Sequence, residues 1–545
     1  MVITDLPASS CVSSNLPAYE RCVARLFLPP GGENAPPVIV TADTHAENLS
    51  WLRAAYPGVR FAGASREFVL SQLEKRFGLA IADDAVHALA RATPTLSARQ
   101  VVTPAQAGLI GGFLSALALA LATRPIAVYD VLAGIASIGF VSGTFFRALL
   151  AWTGGTHREN TVRIADDDRT LPVYTILVPL YREANVLPRL VQALRHLDYP
   201  ADKLDIKLIV ESDDNETAIV AEALGSVAPF HVVRVPVGTP RTKPRACNYA
   251  FAFARGEFAV IYDAEDRPEP DQLRKAIGQF RAGPREVACL QAHLNFYNAD
   301  ENWLTRLFAL DYALWFDVLM PGLEKLRLPM PLGGTSNHFR TSALRDAMAW
   351  DPFNVTEDAD LGIRLAQMGM RVAMLDSTTF EEAPTTLPAW LKQRSRWLKG
   401  YIQTWLVHMR DPAALRRRTG WRGLMSLQLF LGGSVLSALV NPLLWATFVG
   451  SCVFAARDET TFAWHTPTSI SAMGLLAGNA VLTWLAIAAP KRRGWIHLAP
   501  YGFTVSFYWL LISVAAWRGL LQLFTRPFHW EKTEHGLSRC DQTQP

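Results

Sequence analysis

Phe258-Ala-Val-Ile-Tyr262 runs straight into Asp263-Ala264-Glu265-Asp266. The apolar run reads as a strand buried on both faces. The carboxylates that follow it belong at the edge of a sheet, where solvent or a ligand can reach them. Two earlier stretches repeat the arrangement. Tyr174-Thr-Ile-Leu-Val178 ends in Pro179-Leu180-Tyr181-Arg182-Glu183, and Ile206-Lys-Leu-Ile-Val210 ends in Glu211-Ser-Asp213-Asp214-Asn-Glu216-Thr217. Helical spacing from Val186 to Leu197 separates these two. Alternating β and α of this kind predicts an α/β domain, a mostly parallel sheet with helices on both faces. Such sheets bind ligands at the carboxyl ends of their strands, where the acidic clusters fall.

The rest of the chain frames that domain. It has 545 residues, 50% of them hydrophobic, and the excess is gathered in blocks. Ala107–Ala122 and Ile126–Trp152 are each near the ~20 residues that cross a bilayer as a helix. After Trp421 come Leu424–Ala456, broken by Asn441-Pro442, then Ser469–Pro490 and Pro500–Phe524. The expected organisation is a disordered arm (1–37), a small soluble domain (38–104), two transmembrane helices (105–153) and the α/β domain with interfacial helices (155–410). Three or four transmembrane helices (421–524) and a polar tail (525–545) complete it. Placing Lys491-Arg492-Arg493 inside favours three spans and an outside tail, whereas a cytoplasmic tail needs an even count. The sequence leaves that conflict standing.

A net charge of +4 does not point to nucleic acid. The six Cys are scattered without a C-x-x-C pair, against a zinc site or a disulfide framework. The first 35 residues are polar and carry no basic-then-apolar leader pattern, so no signal peptide is expected.

Each acidic cluster has a plain structural reading beside a chemical one. Asp213 or Asp214 can cap the helix that follows, but one cap does not account for four acids in six residues. Asp263 and Glu265 are two apart and point the same way on an extended segment, as two carboxylates on a hard cation would. Thr356-Glu357-Asp358 sits at a helix start, where the dipole favours negative charge. Gln393-Arg394-Ser395-Arg396-Trp397 puts Gln393 and Arg396 on one helical face beside an aromatic plane. Thr242-Lys243-Pro-Arg-Ala-Cys-Asn248 opens a helix with a lysine, and Gly333-Gly334-Thr335 allows close backbone approach to a ligand.

In this order the motifs resemble those of membrane-embedded family-2 glycosyltransferases, the group of cellulose, chitin and hyaluronan synthases. The resemblance spans about residues 105–540. It implies a GT-A, Rossmann-like catalytic domain inserted between transmembrane helices. It also implies a nucleotide-sugar donor, most often a UDP-sugar, and a Mg2+ or Mn2+ cofactor. Pro179, Tyr181, Glu183, Asp213, Asp214, Lys243, Asp263, Arg394 and Arg396 would meet the donor. Asp263 with Glu265 or Asp266 would hold the metal, the family's D-x-D having Glu at its third position here. Asp358, beside Glu357, would be the general base, and a single base implies inversion to a β-linkage. Gln393, Trp397, Gly334 and Thr335 would face the acceptor, a growing glycan or a lipid. Trp530, Lys532, Thr533 and His535 resemble a gating segment in the tail.

The implied setting is a bacterial inner membrane, multi-pass, with a cytoplasmic catalytic domain and envelope export partners. A processive polysaccharide synthase is the preferred reading. The rivals are single transfer to a lipid and a non-catalytic receptor. Residues 38–104 resemble the N-terminal module of type II secretion ATPases.

Overall fold

The computed structural model describes residues 25–28, 38–41, 60–63, 66–155, 167–225, 228–457, 466–532, 536 and 538. Near the N-terminus β1 (Arg25–Leu28), β2 (Val38–Thr41) and β3 (Arg60–Gly63) form a small sheet, β1 antiparallel and β3 parallel to β2. The short strand β1 falls inside the stretch expected to be a loose arm. The helix read around Glu67–Phe77 is longer than its apolar spacing indicates: α1 runs Arg66–Ala92. Two apolar helices follow, α2 (Pro104–Thr123) and α3 (Pro125–Gly155). The start of α2 is fixed by a capping box in which Thr103 and Gln106 satisfy each other's backbone N–H groups.

The catalytic layer then builds as β4 (Tyr174–Leu180), α4 (Leu187–Arg195), β5 (Leu204–Glu211), α5 (Asn215–Leu224), β6 (Phe230–Val235), α6 (Lys243–Phe251) and β7 (Phe258–Ile261). After it come β8 (Arg267–Pro268), α7 (Gln272–Ala282), β9 (Val287–Phe296), α8 (Trp303–Leu314), β10 (Asn337–Arg340), α9 (Glu357–Gln367) and β11 (Arg371–Glu381). The strands form one eight-stranded sheet in the order β6-β5-β4-β7-β10-β9-β11-β8. The β4, β5, β6 and β7 group is parallel throughout, and every residue of β5 is buried, as a strand covered on both faces must be. The sheet is mixed beyond β7. β10 runs antiparallel to both β7 and β9, and β8 is antiparallel to β11. After β9 the chain passes through α8, a π-helical turn (Trp315–Leu319) and helix Met320–Lys325, then returns through Gly333-Gly334 to the edge it left. A strand entering from that edge has to run backwards. The outcome is a mixed α/β sheet flanked by apolar helices.

Beyond the sheet lie α10 (Leu387–His408), α11 (Pro412–Ser426), α12 (Gly433–Arg457), α13 (Thr466–Ala488) and α14 (Val505–Thr525). Among the described residues, five helical stretches are long and apolar enough to cross a membrane: Pro104–Thr123, Pro125–Gly155, Pro412–Gly450, Ser471–Arg493 and Ile496–Thr525. The last differs from the others in where its ends lie. Within it, just before α14 begins, Trp303 donates to the Thr504 hydroxyl (3.0 Å) and Arg306 to Tyr501 (2.8 Å). Its first turn meets α10 at Tyr508, which packs on Trp390 and accepts from Arg394. Near its far end Gly519 lets the Ser395 backbone approach, since an added Cβ would stand 2.7 Å from that carbonyl. Lys399 then donates to the Arg526 carbonyl (3.2 Å). α14 therefore lies along α10, with both ends on the catalytic domain. Phe503, Phe507, Leu510, Val514, Leu521 and Phe524 form an exposed stripe along the outer side of this segment.

Candidate active site

The carboxyl ends of β4, β5 and β7, the Gly333-Gly334 loop, the start of α9 and the middle of α10 surround one cavity of about 1000 Å3. It gathers most of the residues read from sequence. Pro179, Tyr181, Glu183, Lys243, Asp263, Glu265, Gly334, Thr335, Glu357, Asp358, Gln393, Arg394, Arg396, Trp397, Trp530 and Lys532 all line it. Thr533 and His535 lie outside the described residues.

Three carboxylates follow β7, and they do different things. Asp263 meets the Lys243 ammonium at 2.5 Å. Lys243 also donates to the Gly334 carbonyl (2.7 Å), so it bridges the donor side to the loop beside Asp358. Burial opposes the lysine's charge, but Asp263 and Glu357 more than restore it and push its pKa up. Glu265 opens onto the cavity. Asp266 is buried behind the loop, where one oxygen accepts from the Asp263 N–H (2.7 Å) and from the Thr335 hydroxyl. Of the two alternatives for the second metal contact, Glu265 thus faces the cavity and Asp266 braces the turn. Thr335 serves that same brace and also donates to the Ile261 carbonyl (3.1 Å). Burial, reinforced by the neighbouring carboxylates, pushes Glu265, Asp266 and Glu381 upward.

Among the described residues, no group of three or more His, Cys, Asp or Glu side chains is arranged to hold a metal. Asp263 and Glu265 fit the other mode, in which a hard cation takes one or two carboxylates and completes its shell with phosphate oxygens and water. The Lys243 ammonium on Asp263 marks where positive charge is wanted.

At the opposite wall Glu357 and Asp358 open α9. Glu357 is buried and its pKa is pushed up to about 8, by burial and then by Asp358, while Lys243 and Arg396 pull it down. Asp358 is pushed up to about 6, by burial, against the same two cations and its hydrogen bond from the Ala359 N–H. Its carboxylate stands beside Gly334, where an added Cβ would come within 3.4 Å of an Asp358 oxygen. A methyl group at position 334 would stand in ordinary van der Waals contact with that carboxylate.

The Gln393–Trp397 stretch lies on α10 and divides its work. Arg396 faces the pocket, 4.2 Å under the Trp530 ring, and the fields of Glu357, Asp358 and Asp263 act on it. Arg394 points elsewhere than the donor role assigned to it. It pairs with Asp311, donates to Tyr508 (2.8 Å) and sits 4.3 Å over Phe308 and 4.6 Å over Trp397. Residues two apart on a helix do not face each other, so Arg396 stands on the cavity floor under Trp530 while Arg394, which also lines the cavity, ties α10 to α8 and α14. Trp397 stacks toward Tyr312 with ring centroids 6.1 Å apart. Gln393 is buried, with no hydrogen-bond partner for its side-chain oxygen among the described residues.

The second-strand acids do not reach the cavity as expected. Asp214 is buried and caps α5 by accepting from the Thr217 N–H (3.3 Å); it also accepts from the Arg182 N–H. Asp213 pairs with Arg241 (2.8 Å), and Arg241 in turn meets the Tyr181 hydroxyl (3.3 Å). The pocket wall here is Glu211, Arg241 and Tyr181. Glu211 sits on the Arg245 guanidinium at 2.6 Å. Glu211 and Arg241 were legible only as strand end and loop, and Glu381 and Tyr312 carried no local motif. Their role comes from tertiary neighbours far away in the chain.

The tail closes the upper side. Lys532 donates to the Tyr181 and Arg182 carbonyls and pairs with Glu183 (3.1 Å). Farther on, Glu382 accepts from the backbone N–H groups of Gly536 and Ser538. Gly536 has φ +80°, and an added Cβ would meet Asn185 and Val186 at 2.8 Å, so a side chain is excluded twice over.

With this geometry in hand, comparison with known proteins is informative. The family model described as Glycosyl transferase family group 2 matches residues 259–517. The Synechocystis sp. protein beta-monoglucosyldiacylglycerol synthase is 28% identical over 388 residues, covering 68% of this chain and 76% of that protein. Glucomannan 4-beta-mannosyltransferase 1 of Oryza sativa is 25% identical over 64% of this chain and 66% of its own. The probable glycosyltransferase YdaM of Bacillus subtilis is 24% identical over 48% of this chain and 63% of its own. The chain thus spans 63–76% of the length of these relatives. Among solved structures, a mannosyltransferase from Pyrobaculum calidifontis in complex with GDP-Man and Mn2+ matches with a TM-score of 0.45 and 22% identity, covering 71% of this chain and 99% of that one. The matched family and the curated relatives agree with the motifs and with the cavity that gathers them, and together they support a family-2 glycosyltransferase.

Proposed function

We propose that the protein is an inverting, membrane-bound transferase that extends a β-linked polysaccharide from a nucleotide sugar, with a UDP-sugar as the preferred donor. The observation that carries this is the shape of the cavity. From Asp358 it continues past Gln393 and Trp397 into the helix bundle, where Ser434, Ser437 and Asn441 of α12, Asn479 of α13, Ser513 of α14 and Arg147 of α3 line it. Ser434, Ser437 and Asn441 are three and four residues apart and share a face. Polar groups inside a bundle of apolar helices cost free energy unless a polar partner meets them. Asn441 is 8% exposed, and its side-chain oxygen has no partner among the described residues. Ser434, Asn479 and Ser513 already donate to carbonyls of their own helices, and Phe140, Leu482 and Ile512 line the same stretch, so the open Asn441 oxygen is the group that a hydroxyl-bearing chain would satisfy and an acyl chain would not.

In this reading Asp358 accepts the proton of the attacking acceptor hydroxyl. Arg396 and Lys243 keep that carboxylate from staying protonated at neutral pH. Lys243 and Arg396 approach the donor diphosphate, and Tyr181 with Arg241 borders the base. Asp263 and Glu265 would hold Mg2+ or Mn2+, which when bound neutralises charge developing on the leaving diphosphate. Attack opposite the leaving group inverts the anomeric centre. Trp530 and Lys532 cover the donor as a gate.

The same reading removes the conflict over the tail. α2, α3, α12 and α13 cross the bilayer, while α14 lies in the interface with its Phe503–Phe524 stripe toward lipid. Four spans return the chain to the catalytic side. Lys491–Arg493 then lies on that face too, as positive charge does on the cytoplasmic side of a bacterial inner membrane.

A second reading, one sugar transferred to a lipid, is favoured by the name of the Synechocystis relative. Membranes carrying the protein, incubated with labelled UDP-sugars and Mn2+, separate the two by product size. Long polymer supports the proposal and a lipid-soluble monosaccharide supports the alternative. No incorporation and no nucleotide release with any nucleotide sugar would contradict both and favour a non-catalytic receptor.

A further inference from the structure

The N-terminal module is not a separate bead on the chain. α1 packs on α6, the helix opened by Lys243, and Asn248 of that helix donates to the Ala85 carbonyl (3.0 Å) and the Trp350 carbonyl (2.8 Å). The loop after α1 is held at two further points. Asp351 accepts from the Ser97 hydroxyl (3.2 Å) and the Ala98 N–H (2.5 Å). Arg410 donates to the carbonyls of Pro94 (3.1 Å), Thr95 (2.9 Å) and Ser97 (2.9 Å), and to that of Gln100.

What this clamped loop covers is specific. Val86 and Ala98 are buried against Phe353 and Val407, and Phe528 of the tail packs on the same cluster. His87 stacks on Phe353 with ring centroids 6.2 Å apart and planes 11° apart. Phe353 meets Phe528 edge-on at 5.3 Å. Two residues beyond Phe528 stands Trp530 on Arg396, and two beyond that Lys532 on Glu183. Other anchors of this stretch are Lys399 and Gln403, which donate to the carbonyls of His529 (2.9 Å) and Pro527 (3.0 Å), and Arg518, which donates to both oxygens of Glu531 (2.7 and 2.8 Å). Polar anchors of this kind hold the stretch, while the Phe353 cluster fixes where the strap begins.

We propose that the N-terminal module seats the tail strap. Val86, His87 and Ala98 are positioning residues: they hold Phe353, Phe353 holds Phe528, and Phe528 sets the register in which Trp530 and Lys532 arrive over the donor pocket. The module is thus part of the catalytic unit. The seating rests on contacts alone, and only its consequence for turnover rests on the proposed function.

The test separates the two. In the full chain purified in detergent, trypsin cleavage after Lys532 reports strap release without any donor. Val86→Ala/His87→Ala should speed that cleavage roughly five-fold, as Phe528→Ala does, because cleavage follows the population of the released state. Combining the module and tail changes should be no faster than Phe528→Ala alone, since both break one contact chain. An Ala98→Cys/Phe528→Cys pair should form a disulfide and slow cleavage, a check that holds even where the truncated variants fold poorly. Unchanged cleavage in the module variants, additive acceleration in the combination, or failure of the cysteine pair to cross-link would each overturn the proposal. In turnover assays the same module variants should raise the KM for the donor more than they lower kcat. Equal loss in both would reduce the module to a stabilising role.

Discussion

Two carboxylate pairs face each other across Lys243, and they differ in what surrounds them. Asp263 and Glu265 stand with Asp266 and Glu381 close by, and Lys243 meets the first of them. Glu357 and Asp358 stand between Lys243 and Arg396. The first pair has more negative charge than its neighbours offset, which is the condition for taking up a cation with the donor. The second pair is balanced closely enough that Asp358 titrates near neutrality, which is the condition for a base. Residue type is the same in both. In the proposed reading, placement of two cations would make one a metal seat and the other a proton acceptor.

The comparison can be broken by changing one wall at a time. The largest effect should come from Asp358→Asn. Turnover should fall by roughly 10²–10⁴-fold, the usual contribution of a general base, while nucleotide binding stays near that of the parent. Steady-state rates beside a nucleotide titration check this, and retained turnover would remove Asp358 from the role.

Next is Arg396→Met. Arg396 helps to hold Asp358 down, so its loss should move the acid limb of the rate profile to higher pH. The sign follows from the chemistry. The base works deprotonated, its pKa lies raised at about 6, and kcat/KM should fall as pH drops below that value. In the variant the fall should begin at a higher pH. The pair titrates as a unit, so the limb belongs to Glu357 and Asp358 together. An unmoved limb would place Arg396 outside the field of the base.

Arg394→Met sharpens the contrast on the same helix. It removes the partner of Asp311 and the donor to Tyr508, so it should lower the Tm, by an amount equivalent to roughly 1–3 kcal/mol. The pH limb should stay in place. A thermal melt and one pH series distinguish the two arginines.

The smallest effect should be Asp214→Ala. It takes away a helix cap worth about 1 kcal/mol and leaves the donor KM nearly unchanged. A large rise in KM would return Asp214 to the donor site.

These contrasts also show how far the chain could be read without its structure. The strands were legible because buried strands must be continuously apolar, and acids at their ends had to face a ligand or solvent. The Asp263 wall was legible for the same reason, and the Asp358 wall as paired acids at a helix start. Asp213 and Asp214 resisted reading because an N-cap and a ligand contact call for the same residue at the same place. Arg394 and Arg396 carry equal charge and both line the cavity, and only the turn of α10 decides which stands under Trp530 and which pairs with Asp311. Glu381 and Tyr312 have no motif at all, since they enter from β11 and α8 through tertiary packing. The reversal of β10 and the lie of α14 are likewise properties of where the chain returns. α14 passes every test of length and apolarity for a membrane span, yet Tyr501, Thr504, Tyr508 and Arg526 tie both its ends to the catalytic side.

The most direct test of the division between the two pairs is nucleotide binding with and without Mn2+, measured side by side for Asp263→Asn and Asp358→Asn in the full chain. Asp263→Asn should lose the Mn2+-dependent part of the affinity, and Asp358→Asn should keep it while losing turnover. Equal loss of Mn2+ dependence in both variants, or its retention in Asp263→Asn, would contradict the assignment of metal seat and base to opposite walls.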